Sequence, residues 1–433
     1  MIDLRAFTMS GGRVAAVATF VAVLGSVGAI AQQTPPAAPA AAPPPAWKQG
    51  IPKSMESSTL APHATPMTVT PPDKIQLGKL KVPAGFKVEL WHHGMPGTRM
   101  MARGDNGTIF TGTRGIGRVY AVTEKDGKRE HKVIAEGLQQ PNGIAFKNGA
   151  LYVISIDKAL RFDGIEDKLA APQPTDISAA IKLPASTHHN WKFAAVGPDN
   201  KLYISIGSPC NICEINPGTH GQIRRQDLDG GKIEIVARGV RNSVGFDWHP
   251  QTKELWFTDN GRDWAGDNGP EEELNRVAAN NIGGFYGFPY CHANGIADPE
   301  IKKPNACAGV TLPSATLGPH AAALGMRFYT GSMFPAEYKN TALIARRGSW
   351  NRTKKFGYDV VQAKINGNRA TITPFMTGFL DPATDTFWGR PVDVLQLPDG
   401  SMLVADEHNG AIYRVSYAAA QKSAEAKPET KKK

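Results

Sequence analysis

The sequence predicts an all-β chain folded as a six-bladed β-propeller. Three observations carry that prediction: a recurring turn-and-strand unit, abundant turn residues and little helical periodicity. The unit reads GTIFTGT at 107–113, GALYVIS at 149–155, NKLYISI at 200–206, KELWFTD at 253–259, NTALIAR at 340–346 and GSMLVAD at 400–406. Successive starts lie 42, 51, 53, 87 and 60 residues apart. Hairpins at such spacing read as the small sheets of a propeller, each burying its faces against its neighbours. The 45 glycines and 33 prolines supply the turns. A Rossmann or barrel enzyme needs long helical periods between strands, and only residues 269–279 (GPEEELNRVAA) carry a helical pattern.

Taken in order, the chain divides into four parts. Residues 1–31 hold Arg5 and Arg13, an apolar run from Val14 to Ala31 and small residues at Ala29-Ile30-Ala31. That pattern describes a secretory signal peptide, hence a periplasmic protein, with an uncleaved membrane anchor as the alternative. Residues 32–78 open with TPPAAPAAAPPPAW and read as a Pro/Ala-rich linker. The propeller is expected over 79–417. Its first strand, FKVELWHH at 86–93, should complete the last blade beside GAIYRVSY at 410–417 and so close the ring. Within it, the 87-residue interval contains residues 264–320, including Cys291 and Cys307, and is expected to carry a long loop. Residues 418–433 are a charged, disordered tail.

Charge and cysteines narrow the function classes. The formal charge is +10, but residues 1–31 hold +1 of it and the segment after Ala420 +3, leaving about +6 for the rest. No Lys/Arg cluster interleaved with aromatics occurs inside the folded region, so a nucleic-acid partner is not expected. Mild basicity fits solubility or an acidic redox partner. The four cysteines of an exported chain read as two disulfides, for which three pairings exist. Cys291–Cys307 and Cys210–Cys213 are the favoured pairs. A four-thiol zinc site is the alternative, whereas Glu214 after the Cys-x-x-Cys excludes c-type haem attachment by that motif.

Polar residues beside the inner strands are the candidates for chemistry, because the loops at one mouth of a propeller channel carry function. His188 and His189 precede the third hairpin, Arg241 and Asn242 lie in GVRNSVGFD, and Asp259-Asn260-Gly261-Arg262-Asp263 follow the fourth. Arg346-Arg347 and Arg390 complete the set. Converging arginines and amides suit a polyanionic ligand, and a histidine beside them can take a proton from a hydroxyl. Blade-to-blade ion pairs are the plainer reading of the arginines, and His188 is the rival of His189. Trp191 and Trp350 read equally as packing or as a sugar subsite. The run Glu271–Glu273 reads as a solvated face without a metal.

Several of these segments match a known family in order. HNWKFAAVGPDNKLYISIGS, GVRNSVGFD, DNGRDWAGDNGPEEELNRV with NNIGGFYGFPYC, and GRPVDVLQLPDGSMLVADEHNGAIYRV resemble the soluble pyrroloquinoline quinone (PQQ)-dependent glucose and aldose dehydrogenases. IARRGSWNRTKKFGYDVV looks closer to their sorbosone and pyranose dehydrogenase branch. The resemblance covers about residues 80–417. It implies PQQ and Ca2+ as cofactors, a sugar substrate, and a quinone or cytochrome as electron acceptor. It further implies His189 as catalytic base, Arg241 as a catalytic and cofactor contact, and Asn242, Arg347 and Arg390 as cofactor contacts. Carbonyls of Gly261 and Arg262 would hold the calcium. Three positions depart from the pattern. Ser208 stands where glucose-specific members carry an aspartate, Val392 replaces an arginine, and Arg262 replaces a proline. Two other functions share such a scaffold: a calcium-dependent sugar lactonase, which needs converging carboxylate ligands, and a non-enzymatic binding propeller.

Overall fold

The second strand of each blade explains why the repeat is so visible in the sequence. In the computed structural model, which describes residues 45–189 and 191–418, the strands Ile109–Thr113, Ala150–Ile154, Leu202–Ile206, Leu255–Asp259 and Met402–Asp406 are buried at every residue. Ala342–Arg346 is buried at all but its last. A strand covered by sheets on both faces cannot alternate apolar with polar residues, so it reads as a short continuous apolar run. Outer strands differ. Lys128–Ala135, the fourth of blade one, mixes charged exposed residues with the buried Ile134.

Six blades of four-stranded antiparallel sheet follow from these pairings, blade three adding the short parallel strand Gly284–Phe285 at its edge. First strands meet their counterparts in adjoining blades around a central axis: Thr98–Arg103 touches Gly143–Lys147 on one side and Pro391–Gln396 on the other. Phe86–His93 pairs antiparallel with Ala411–Tyr417, from Phe86 opposite Tyr417 to His93 opposite Ala411. The sheet of blade six is therefore made from both ends of the domain, which ties the ring shut and removes two open edges. The expected ring closure is present.

Blade four departs from expectation. Residues 264–320 hold the third strand Glu271–Val277 and the fourth, Ala315–Pro319, with the expected disulfide-containing insertion between them. The helical pattern over 269–279 gives way to pairing of Glu271–Val277 with Leu255–Asp259, from Leu255 opposite Val277 to Asp259 opposite Glu273. Burial of Leu274 and Val277 between sheets outweighs the local helical preference. The same pairing buries Glu272 and Glu273, so the expected solvated acidic face does not exist. The excursion lies between these strands and carries the Cys291–Cys307 disulfide, while Cys210 is joined to Cys213. Arg262 pins the excursion through Asp298 at 2.9 Å.

The described part of the linker does not hang free. Ile75 is buried, Thr70 donates its N–H to the Asn409 carbonyl at 3.2 Å, and Trp47 packs on Trp264. The expected signal peptide and most of the tail lie outside the described residues. Among the described residues no helix is long and apolar enough to cross a membrane.

Candidate active site

A simple rule places the polar residues. In each antiparallel hairpin the end of the second strand lies beside the start of the first, so residues at these two points meet at one mouth of the axis, here from blades one, three, four and five. They enclose a cavity of about 210 Å³. Second-strand ends contribute Arg114, Asn260 and Arg347, and first-strand starts contribute Arg99 and the Arg241–Asn242 pair. His188 and His189 reach the same cavity from the segment before blade three.

His189 has a defined tautomer. Its Nδ1 lies 3.0 Å from Ser208 Oγ, whose single proton is donated to the Cys210 carbonyl at 2.7 Å. The hydroxyl can then only accept, so Nδ1 carries the hydrogen and Nε2 keeps its lone pair. Burial pushes the imidazole well below its ordinary pKa of 6.5, helped by the positive charge of Arg241 and by His188 and Arg114. A neutral ring with a free Nε2 is the form a general base requires. The backbone is fixed too: His189 adopts φ of +45°, and a Cβ at Gly207 would stand 2.1 Å from its carbonyl oxygen. Ser208 thus holds the His189 ring without adding negative charge.

Arg241 is saturated. Its Nε donates to the Asn211 carbonyl at 2.9 Å, and Nη1 donates to the carbonyls of Asn260 at 3.0 Å and Gly261 at 2.6 Å. Nη2 donates to Asn211 Oδ1 at 2.7 Å and Asp263 Oδ2 at 3.2 Å. A guanidinium has five N–H groups, and all five are engaged. The backbone N–H groups of Arg241 and Asn242 are held by Asp259 at 2.8 and 2.6 Å. Asn242 faces the cavity and donates to Asn260 Oδ1 at 3.3 Å.

The opposite wall is built differently. Glu407 at the end of blade six bonds both Arg99 and Arg347 and lies 3.8 Å from Arg390. Burial works against its ionisation, yet Arg347, Arg99 and Arg390 hold its carboxyl well below the usual range. Arg114 lies over the Trp191 ring at 3.9 Å and has no hydrogen bond or ion pair among the described residues. Burial lowers its pKa to about 9, and the nearby Arg347 and Arg99 add to the shift. Arg390 is buried behind Arg347, donating to the carbonyls of Arg347 and Gly348 at 3.3 and 3.0 Å, and does not line the cavity.

Of the expected site residues, the fold brings His189, Arg241, Asn242, Arg347 and Gly261 to one cavity and sets Arg390 and the Arg262 side chain behind its walls. Arg99, Arg114, Asn211 and Glu407 were missed. Three of them obey the strand-end rule, so extending it to blades one and six would have found them. Asn211 sits between two cysteines and carries no such signal. Among the described residues no group of three or more His, Cys, Asp or Glu side chains is placed to hold a metal.

The TrAA12-like family model matches residues 80–418, most of the chain. The chain belongs to that family. An uncharacterised protein of Borreliella burgdorferi is 36% identical over 352 residues, covering 78% of this chain and 91% of that protein. Among solved structures, the holo PQQ domain of pyranose dehydrogenase from Coprinopsis cinerea matches with a TM-score of 0.64 at 20% identity, over 78% of this chain and 97% of its own. A calcium structure of a family AA12 carbohydrate-active enzyme from Trichoderma reesei gives 0.65 at 18%, over 83% and 100%. The PQQ-bound aldose sugar dehydrogenase of Streptomyces coelicolor gives 0.54 at 19%, over 78% and 100%. These likenesses place the TrAA12-like chain among six-bladed propellers.

Proposed function

We propose that this TrAA12-like protein is a periplasmic PQQ-dependent dehydrogenase that oxidises an aldose or sorbosone-type sugar and passes electrons to a quinone or cytochrome. The observation that carries the reading is His189, a neutral imidazole whose Nδ1–H is held by Ser208 and whose Nε2 is free on a cationic cavity. Arg114 and Arg347 supply guanidinium N–H groups not consumed by the protein, which suits the three carboxylates of PQQ. Asn242 supplies an amide on the adjoining wall. Bound PQQ supplies a two-electron acceptor for the hydrogen leaving the sugar carbon. His189 Nε2 takes the proton of the hydroxyl on that carbon, and the charge then borne by the imidazole is tolerated only transiently beside Arg241. Arg241 acts through its field, since its hydrogen bonds are spent. Two disulfides agree with an oxidising compartment.

Calcium does not fit the donor set as it stands. The Gly261 carbonyl already accepts from Arg241 at 2.6 Å, and a cation there would have to displace the guanidinium. Lactone hydrolysis is disfavoured on the same wall, because Asp263 is tied to Arg241.

The test adds PQQ to the exported protein, with and without calcium, and follows reduction of an artificial acceptor with a panel of aldoses. His189→Ala should keep PQQ bound while turnover falls by about 10²–10⁴-fold. A protein that binds no PQQ overturns the reading, and an undiminished rate in the variant removes His189 from its role.

A further inference from the structure

Part of the cavity wall comes from outside the family domain. The family match begins at residue 80, yet Trp47, Pro62 and His63 line the cavity. Trp47 meets Trp350 edge to face at 5.8 Å and stacks on Trp264 at 6.4 Å. The Trp264 Nε1–H donates to the Trp47 carbonyl at 2.6 Å, and Asn211 Nδ2 donates to the Gln49 carbonyl at 2.8 Å. Farther along, His63 Nε2 lies 3.2 Å from the Tyr358 hydroxyl, with its ring edge-on to Phe387 at 5.0 Å. Both ends of this segment are thus fastened to the propeller by specific bonds.

We propose that residues 47–63 form an outer wall of the substrate chamber, with the rings of Trp47 and Trp350 as the surface on which the sugar packs. This deepens the dehydrogenase reading and rests on it. The chemistry of the walls divides the cavity between two ligands. The arginines serve an anion, whereas indole faces match the C–H faces of a sugar ring, which carries no charge for an arginine to grip. Trp47 and Trp350 are only partly buried, so they are not spent in the core, and Asn211 couples the wall to Arg241. A wall closing one side limits the chamber to short sugars, and the substrate class is a monosaccharide in preference to a chain end.

Two full-length variants test this, Trp47→Ala and Trp47→Phe, each measured in two ways. The first readout is turnover. Trp47→Ala should raise KM for the preferred monosaccharide about tenfold with a much smaller effect on kcat, as expected for one lost stacking contact. The kcat/KM of a disaccharide relative to the monosaccharide should rise, and Trp47→Phe should recover most of the parent behaviour. The second readout needs neither cofactor nor substrate: the rate at which diethyl pyrocarbonate modifies His188 and His189, mapped by mass spectrometry. It should rise severalfold in Trp47→Ala. An unchanged modification rate overturns the wall, whatever the enzyme turns over. A faster rate with unaltered KM and size preference overturns the sugar-packing role. Failure of the parent to oxidise any sugar defeats the function proposed above, while the modification rate still decides the wall.

Discussion

Arg241 and Arg114 face the same cavity from opposite sides and are held in opposite ways. All five N–H groups of Arg241 have acceptors, two of them from Asn211 and one from the Asp263 carboxylate. Arg114 has the Trp191 face and two other arginines nearby, with Glu407 as the shared counter-charge. A cation whose donors are filled contributes to building the site. A cation with open donors, kept in a partly desolvated place among like charges, gains most when an anion arrives. On the proposed reading, Arg241 builds the blade-four wall, whereas Arg114 and Arg347 of blades one and five would receive the anion.

The largest effect tests the first half of that contrast. Arg241→Ala should destabilise the fold by about 3–5 kcal/mol, since it leaves the half-buried Asp263 carboxylate and the buried carbonyls of Asn211 and Asn260 without this partner. Denaturant unfolding measures this, and a loss below about 1 kcal/mol would break the distinction between the walls. Arg114→Ala should do the reverse. Its stability should stay level or rise, because an unpaired desolvated charge is removed, while PQQ affinity falls about 10–100-fold. Titration calorimetry at two salt concentrations checks the result, and the parent's affinity should fall more steeply with salt than the variant's.

Ser208 sharpens the contrast at the base. Ser208→Ala should lower kcat roughly tenfold by freeing the imidazole to rotate, with little change in cofactor affinity. Ser208→Asp is more informative. A carboxylate on Nδ1–H stabilises the imidazolium, so the acid limb of the pH–rate profile should move upward by about one unit. A profile unmoved by the aspartate would mean that Ser208 does not orient His189.

How much of this was legible in the sequence follows from burial. Second strands sandwiched between blades must be apolar on both faces, so IFTGT, ALYVI and LWFTD announced themselves. The strand Glu271–Val277 did not, because its carboxylates are buried at the site and looked like a solvated helix. His189 and Arg241 were found through motif likeness, and the geometry of Ser208 and Asn211 then showed what each can do. That Arg241 is fully bonded while Arg114 is open could not be read from a chain in which both are simply arginines near strand ends. Nor could Trp47 be read, since a Pro/Ala-rich stretch gives no sign of where it lies.

The smallest effect concerns pH and reaches both walls. Burial lowers His63 and His92 to about 4 and His188 to about 3, with Arg390, His131 and Arg241 respectively as the next contributors. A histidine depressed in the folded state takes up its proton in the unfolded chain first. Below the ordinary value of about 6.5 the unfolded chain therefore binds more protons, and stability falls as pH falls. The window runs from about 6.5 down to the folded values of about 4 for His63 and His92 and about 3 for His188, below which these groups add no further slope. His63 fastens the N-terminal segment to Tyr358, and His92 bonds His131 across the seam between blades six and one, at 2.9 Å. Thermal melts between pH 7 and 4 should show a falling midpoint, and His63→Phe with His92→Phe should flatten that slope. An equal slope in the double variant would assign the acid sensitivity to other groups. A flattened slope accompanied by slower acid-induced loss of bound PQQ would locate the weak point in the parts that close the propeller, away from the saturated wall around Arg241.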